Sequence, residues 1–250
     1  NPGAIYPTAG IYNVKLTVFK GKQRSSITKQ IIVFKNPVAN FSAIPRNGCV
    51  PAKIQFNDLS IIGDTTITSW FWDTGDGKSE ITQNPIHTYT FSGNFGISLI
   101  VRDANGCTNT ITKNNYETIF DTSTLAVSLS NVASCTLPAS VNFNAISNAP
   151  NGSIYSWNFG DGDSANTKNT THNYTAYGNY TVTASVTNPN NCKTTVIKDS
   201  IIKIQPFQID FSLPVAGCLN KSVAFSSQYN LPATSIKWDF GNGITSTKPD

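Results

Sequence analysis

The sequence predicts an all-β chain of small sandwich domains joined in tandem, and three observations predict it. The stretch Trp157 to Gly162, Trp-Asn-Phe-Gly-Asp-Gly, recurs as Trp72 to Gly77, Trp-Asp-Thr-Gly-Asp-Gly, and as Trp238 to Gly243, Trp-Asp-Phe-Gly-Asn-Gly. The copies lie about 85 residues apart, a period too long for a solenoid unit and right for one complete small domain. Between them run short alternating segments punctuated by Gly, Pro and Asn, with no amphipathic run of helical length. Each copy alternates its large residues (Trp70/Trp72, Tyr155/Trp157, Ile236/Trp238) and then turns small and acidic, as an inward-facing strand does when it ends in a surface loop.

Composition narrows the functional classes. A domain of this size buries only about two thirds of its unfolded surface, so it needs a dense core, a staple or a neighbour. Charged residues make up 13% of the chain, and the net charge of +4 is spread without a Lys/Arg run, which argues against nucleic acid and anionic lipid as partners. No segment reaches 18 consecutive apolar residues, so no membrane insertion is expected in this segment. The first residues lack the zones of a signal peptide, and both ends fall inside repeats, which predicts a window on a longer polypeptide. Met is absent, five Cys are regularly placed, and no Cys-x-x-Cys or Cys/His cluster suggests zinc. Structural disulfides and an extracellular location follow.

Taken in order, residues 1–36 read as the C-terminal half of a domain, because Asn1 to Tyr12 aligns with Asn84 to Phe95 and with Asn169 to Tyr180. Residues 37–121 form a complete second repeat. Strands are expected at Val38 to Ala43, at Lys53 to Leu59 with Ile54 and Phe56 inward, and at Ser69 to Asp73. Short edge strands follow near Lys78 to Thr82 and Ile86 to Thr90. A long hairpin, Asn94 to Arg102 and Cys107 to Ile119, turns at Asp103-Ala-Asn-Gly106, where Asn-Gly supplies positive φ. Seven such strands describe an immunoglobulin-like sandwich. Residues 122–205 repeat this with Val141, Phe143, Trp157 and Tyr174. Residues 206–250 supply Val223, Phe225 and Trp238 and read as an N-terminal half. Linkers are nearly absent, so a head-to-tail rod is expected.

The succession Trp-Asp/Asn-Phe-Gly-Asp-Gly, Asn-Pro-x-His-x-Tyr and Gly-x-Tyr-x-Val-x-x-x-Val resembles the polycystic kidney disease (PKD) repeat family over essentially the whole chain. The added Gly-Cys-x-Pro and Ser-Cys-x-x-Pro before the second strand, and Asn-Gly-Cys or Asn-Asn-Cys in the last hairpin, are similar to PKD-like arrays of giant type IX secreted surface proteins of Bacteroidota, the SprB-like gliding-motility adhesins. Two positions depart from the pattern. Lys20 to Gln23 stands where the first hairpin would carry its Cys, and Thr74 stands where Phe is usual.

Residues that could carry chemistry each have a plainer reading. Asp73, Asp76, Asp161, Asp163 and Asp239 flank glycine turns, where carboxylates could hold calcium. In such turns Asp and Asn also accept backbone N–H bonds, and Asn242 replaces the acid in one copy. His87 and His172 occupy one repeat position, without partners at metal or triad spacing, and read as packing residues beside Tyr89 and Tyr174. Tyr6, Tyr89 and Tyr174 themselves read as tyrosine corners. Trp72, Trp157 and Trp238, with Phe56, Phe143 and Phe225, read as core, against the alternative of a sugar-stacking platform. No Gly-x-Ser-x-Gly elbow appears, and no catalytic residue or cofactor is predicted.

The cysteines invite a bridge within each complete repeat, Cys49 to Cys107 and Cys135 to Cys192. Topology opposes it, because the loop before the second strand and the last hairpin sit at opposite poles, roughly 30 Å apart, whereas a disulfide needs Cα atoms within about 7 Å. In a head-to-tail rod those poles meet across the junction, which predicts Cys49 paired with Cys192, and Cys107, Cys135 and Cys218 paired outside the window. The expected function is structural: a stalk segment of a large secreted cell-surface adhesin. Its expected partners are neighbouring repeats, the secretion and motility machinery, and a polysaccharide or surface ligand. The alternative is a carbohydrate- or protein-binding accessory module of an extracellular hydrolase.

Overall fold

The computed structural model describes residues 2–212, 217, 222–230 and 233–248. Every regular element among them is a β-strand. The chain divides into two compact bodies, Asn1–Thr122 and Ser123–Asp250.

The first body opens with a hairpin of β1 (Gly10–Lys20) and β2 (Gln23–Val33), turned at Gly21 with φ 63°. The second repeat follows as β3 (Phe41–Ile44), β4 (Asn47–Cys49), β5 (Ala52–Asp58), β6 (Ile67–Asp73), β7 (Ser79–Glu80), β8 (Ile86–Tyr89), β9 (Gly93–Asp103) and β10 (Thr108–Phe120). Its two sheets have strand orders β3-β5-β8 and β4-β10-β9-β6-β7.

The second body repeats this with β11 (Leu125–Ser130), β12 (Ala133–Ser134), β13 (Ala139–Ser147), β14 (Ile154–Asn158), β15 (Ser164–Ala165), β16 (Asn169–Tyr174), β17 (Gly178–Thr187) and β18 (Lys193–Ile204). The sheets are β11-β13-β16 and β12-β18-β17-β14-β15. Then come β19 (Ile209–Ser212) paired with β20 (Ser226–Tyr229), and β21 (Trp238–Asp239) paired with β22 (Thr245–Ser246).

Each complete repeat therefore has eight strands rather than seven. The additional one is β4 or β12, where the chain leaves the three-stranded sheet and pairs parallel with the last strand of the other. This corrects the placement of Cys49, which ends β4 opposite Phe120 and is not in a loop. The first strand also starts later than expected, at Phe41, with Val38 held by a single bridge to Ile61. The distance between the poles grows accordingly. Cys107 precedes the 13-residue β10 that Cys49 abuts at its far end, a separation of about 40 Å along the strand.

Alternation sets the core. Ile54, Phe56, Trp72, Tyr89, Ile97 and Leu99 are fully buried in the second repeat; Val141, Phe143, Trp157 and Tyr174 are their counterparts in the third. The indole of Trp72 meets the Phe41 ring edge-on at 5.3 Å, and that of Trp157 meets Phe143 at 5.5 Å. Each such side chain contributes about 1.5–3 kcal/mol by leaving water.

One core position breaks the pattern. A bulge between Lys113 and Glu117, with Asn115 at φ 49°, turns Glu117 inward. The register places Glu117 opposite Phe95, as Ile202 lies opposite Tyr180 and Ile31 opposite Tyr12. Glu117 is fully buried, and neither of its carboxylate oxygens accepts a hydrogen bond. Arg46 Nε lies 3.5 Å from it, but its N–H is given to the Tyr116 carbonyl at 2.7 Å, and the guanidinium stacks on the Tyr116 ring. Burial drives the Glu117 carboxyl up to about 7, with Arg46 opposing.

Because this value lies above that of an unfolded glutamate, about 4.3, the group favours folding fully below that pH and loses its contribution as pH rises through about 7. Glu117→Ile is expected to stabilise the second repeat at pH 8 by about 1–3 kcal/mol. It should also flatten the pH dependence between about 4.3 and 7. Thermal unfolding from pH 4 to 8 checks both, and an unchanged slope in the variant would clear Glu117 as the source.

Candidate functional site

The repeated loop begins where the tryptophan strand leaves the core. Trp72 Nε1 donates to the Thr82 carbonyl at 2.9 Å and Trp157 Nε1 to Thr167 at 3.0 Å, so each buried indole finds an acceptor just beyond the neighbouring edge strand. Tyr89 donates its hydroxyl to the Thr74 carbonyl at 2.8 Å and Tyr174 to the Phe159 carbonyl at 2.9 Å. Each tyrosine thus satisfies a loop carbonyl that would otherwise be buried without a donor.

Two Asx turns shape the loop in all three copies. The first acid or amide accepts the N–H two residues on: Asp73 from Gly75, Asn158 from Gly160, Asp239 from Gly241. The second does likewise: Asp76 from Lys78, Asp161 from Asp163, Asn242 from Ile244. The first motif glycine stands at φ 77°, 87° and 74° in turn. A Cβ on Gly75 would strike the Gly96 carbonyl, and one on Gly160 would come 2.5 Å from that of Thr181. Only glycine closes this turn. An amide at Asn242 performs the same task as the carboxylates, which is the role of a turn former.

Each histidine sits against this loop. His172 Nε2 lies 2.6 Å from Asp161 Oδ2, and its ring stacks on Phe159 at 4.2 Å with an interplanar angle of 4°. In the second repeat Thr74 replaces that phenylalanine, and its hydroxyl turns to Asp76 Oδ1 at 2.6 Å. His87 is buried between two carboxylates, Asp76 Oδ2 at 2.9 Å from Nε2 and Glu80 Oε1 at 3.1 Å from Nδ1. Burial acts to raise the Asp76 carboxyl, but hydrogen bonds from Thr74 and His87 and the attraction of His87 outweigh it, so its value falls below the usual range. Asp161 is lowered in the same way, burial being outweighed by His172 and the Asp163 backbone.

Among the candidate ligands, Asp161, Asp163 and His172 converge, their ligand atoms all within 4.8 Å of one another. The set does not suit calcium, which takes six to eight oxygens, since one of the three donors is an imidazole and both Asp161 oxygens are already engaged. The second repeat places Lys78 where Asp163 stands, with its Nζ 3.9 Å from Asp76 Oδ2. Asp73 and Asp76 join no such group among the described residues. Trp72 and Trp157 are at most 1% exposed and offer no ring face to a sugar.

Cys49 and Cys192 are disulfide-bonded, whereas Cys107 and Cys135 are free thiols. Neither intradomain pairing is formed. Cys218 lies outside the described residues. The two hairpin cysteines occupy equivalent positions in their own repeats: Asp103 accepts the Cys107 N–H at 2.8 Å and Asn188 that of Cys192 at 3.0 Å. Sequence reasoning missed the contact of Glu80 with His87 and the burial of Glu117. The only signal for Glu117 was a charge in an apolar alternation whose sister repeats carry isoleucine.

Because an amide keeps the second Asx turn, Asp161→Asn is expected to cost under about 1 kcal/mol at pH 7 and Asp161→Ala about 1–2 kcal/mol. The depressed Asp161 carboxyl contributes stability present above the unfolded value of about 3.9 and lost as pH falls through the lower folded value. Neither variant should show that acid loss. Melting at pH 7 and pH 3 measures it, and equal costs for Asn and Ala would refute the turn-forming role.

Comparison with known proteins places this geometry. The sequence profile described as PKD domain matches residues 34–119 and 126–202. A 73-residue stretch, 29% of this chain, is 41% identical to collagenase ColQ1 of Bacillus cereus (strain Q1); the chain spans only 8% of that protein's length. The PKD1 domain of Vibrio anguillarum Epp is similar over 34% of this chain and 98% of its own, at 29% identity and a TM-score of 0.31. The PKD1 domain of the Vibrio cholerae metalloprotease PrtV is similar over 31% of this chain and 91% of its own, at 27% identity and a TM-score of 0.29. With the profile matching both complete repeats and more than half of the chain, this protein belongs to the PKD domain family.

Proposed function

We propose that the chain is a non-catalytic extracellular segment of a secreted multidomain protein, serving as an accessory module that holds a neighbouring hydrolase against a polymeric substrate. The observation that carries this reading is the 41% identity to a stretch of a collagenase. The oxidised state of Cys49 and Cys192 supports a secreted location. The motif acids and histidines are engaged in shaping their own loops, which favours a binding or spacing role over a reaction. The chain is expected to bind insoluble collagen or a polysaccharide saturably, with a Kd of about 10–100 μM, equivalent to roughly 5.5–7 kcal/mol of binding free energy. Co-sedimentation measures this, and failure to deplete from solution with any of these polymers would overturn the accessory reading.

A second reading, a stalk segment of a cell-surface adhesin of the gliding-motility type, is favoured by a different observation. Three copies of the motif occupy 250 residues, more than a single accessory domain needs. In this reading neighbouring repeats and the secretion and motility machinery are the partners, and the junctions between repeats are the working parts.

Both readings accommodate a Cys49 to Cys192 bridge, which we propose as a clamp between the second and third repeats. It is supported by the oxidation of these two cysteines while Cys107 and Cys135 remain thiols. Non-reducing peptide mapping should yield a Cys49 to Cys192 peptide, and a Cys49 to Cys107 peptide would sink the clamp.

A further inference from the structure

The histidines of the two complete repeats share a pose and differ in company. His87 meets the Tyr89 ring edge-on at 4.8 Å and His172 meets Tyr174 at 4.7 Å, and each turns Nε2 to the second acid of its motif, Asp76 or Asp161. Around that common pair two positions change: Lys78 of the second repeat is Asp163 in the third, and Glu80 is Ala165. At the first of these the backbone is held alike in both. The Lys78 carbonyl accepts the Thr74 N–H and the Asp163 carbonyl that of Phe159, while Asp76 and Asp161 accept the N–H of Lys78 and of Asp163. The two side chains therefore start from one point.

From that point Lys78 brings an ammonium within 3.9 Å of Asp76 Oδ2. Asp163 brings a second carboxylate instead, and the ligand atoms of Asp161, Asp163 and His172 come within 4.8 Å of one another. The second repeat thus carries a cation of its own at the place where the third carries only ligands.

We propose that the third repeat takes its cation from solution, as a zinc ion held by Asp161, Asp163 and His172 Nε2 with water in the fourth position. One imidazole with two carboxylates is a donor set for zinc, and it lacks the six to eight oxygens that calcium takes. Bonds of about 2.0–2.2 Å place the ligand atoms of a tetrahedral site roughly 3.3 Å apart. The ion takes the place of the proton between His172 Nε2 and Asp161 Oδ2, which part from 2.6 Å as that proton leaves to solvent, and the exposed Asp163 side chain swings in to complete the set. The imidazole is oriented beforehand, stacked on Phe159 at 4.2 Å and braced edge-on by Tyr174. The His172 and Asp161 side chains are 11% and 19% exposed, so the site is sheltered and still open to an entering ion. Once bound, zinc ties the motif loop to β16 in the third repeat alone. The inference is independent of either reading of function.

The chain has only two histidines, so 15N-labelled imidazoles report on the site directly by NMR. Zinc added to the full labelled chain should shift His172 Nε2 saturably and leave His87 where it is, and calcium at the same concentration should move neither. This readout is blind to zinc taken up by the thiols of Cys107 and Cys135. Asp163→Lys installs the residue that the second repeat already folds with, and it should abolish the His172 response. Asp163→Ser removes the carboxylate without adding a charge and should weaken zinc at least about tenfold, the scale on which even an outer-shell partner matters. No movement of either ring at about 1 mM zinc, the concentration that half-fills even a millimolar site, would overturn the proposal. So would equal movement of both rings, or an Asp163→Ser chain that binds zinc as tightly as the wild type.

Discussion

The structure depends on one contact between two halves of a small sandwich: the tryptophan strand must be covered by the long closing hairpin. A repeat of about 85 residues has little interior to spare, so a single indole and the rings around it make up much of the apolar surface removed from water. Where the hairpin is in place, as over Trp72 and Trp157, the indole is dry and its N–H finds a backbone acceptor. The tyrosine corner belongs to the same constraint, because it ties the strand before the hairpin to the loop that the tryptophan strand has just formed.

That constraint explains why the motif loop looks like a reactive site. Acid, glycine and imidazole are gathered there to close a tight turn with two Asx bonds and to satisfy its polar atoms under an aromatic lid. The third repeat uses Phe159 as the shelf for its histidine, while the second, with Thr74 in that position, surrounds His87 with carboxylates. The fold tolerates both solutions, and it tolerates Asn242 for an acid. Such interchange suits a structural loop better than a chemical one.

Much of this was legible in the residues themselves. Periodicity marked the long strands, and recurrence of the Trp-to-Gly stretch marked the repeats, because both express local alternation and turn chemistry. The short parallel strands β4 and β12 were not legible. Two or three residues carry no periodicity, and their partner lies some 70 residues away in the chain, so their pairing is decided by tertiary closure alone. The bulge that turns Glu117 inward escaped for the same reason: Asn115 at positive φ is one residue in an otherwise regular strand. Cysteine chemistry lay between the two. Strand polarity argued against bridges within a repeat, but the oxidation state of each thiol came only with the structure.

The parallel pairing of β4 with the end of β10 also has a mechanical meaning. It joins a strand near the beginning of the domain to the last strand before its exit. The backbone bonds Thr118 to Arg46 and Val50 to Phe120 lie along that seam, as Lys203 to Val132 and Gln205 to Ser134 do in the next repeat. A pull on the two ends of either domain would load these bonds together, in shear, rather than opening them one at a time. A few residues too short to register in the sequence thus close the seam that such a pull would load first, and Cys49 sits on its last rung.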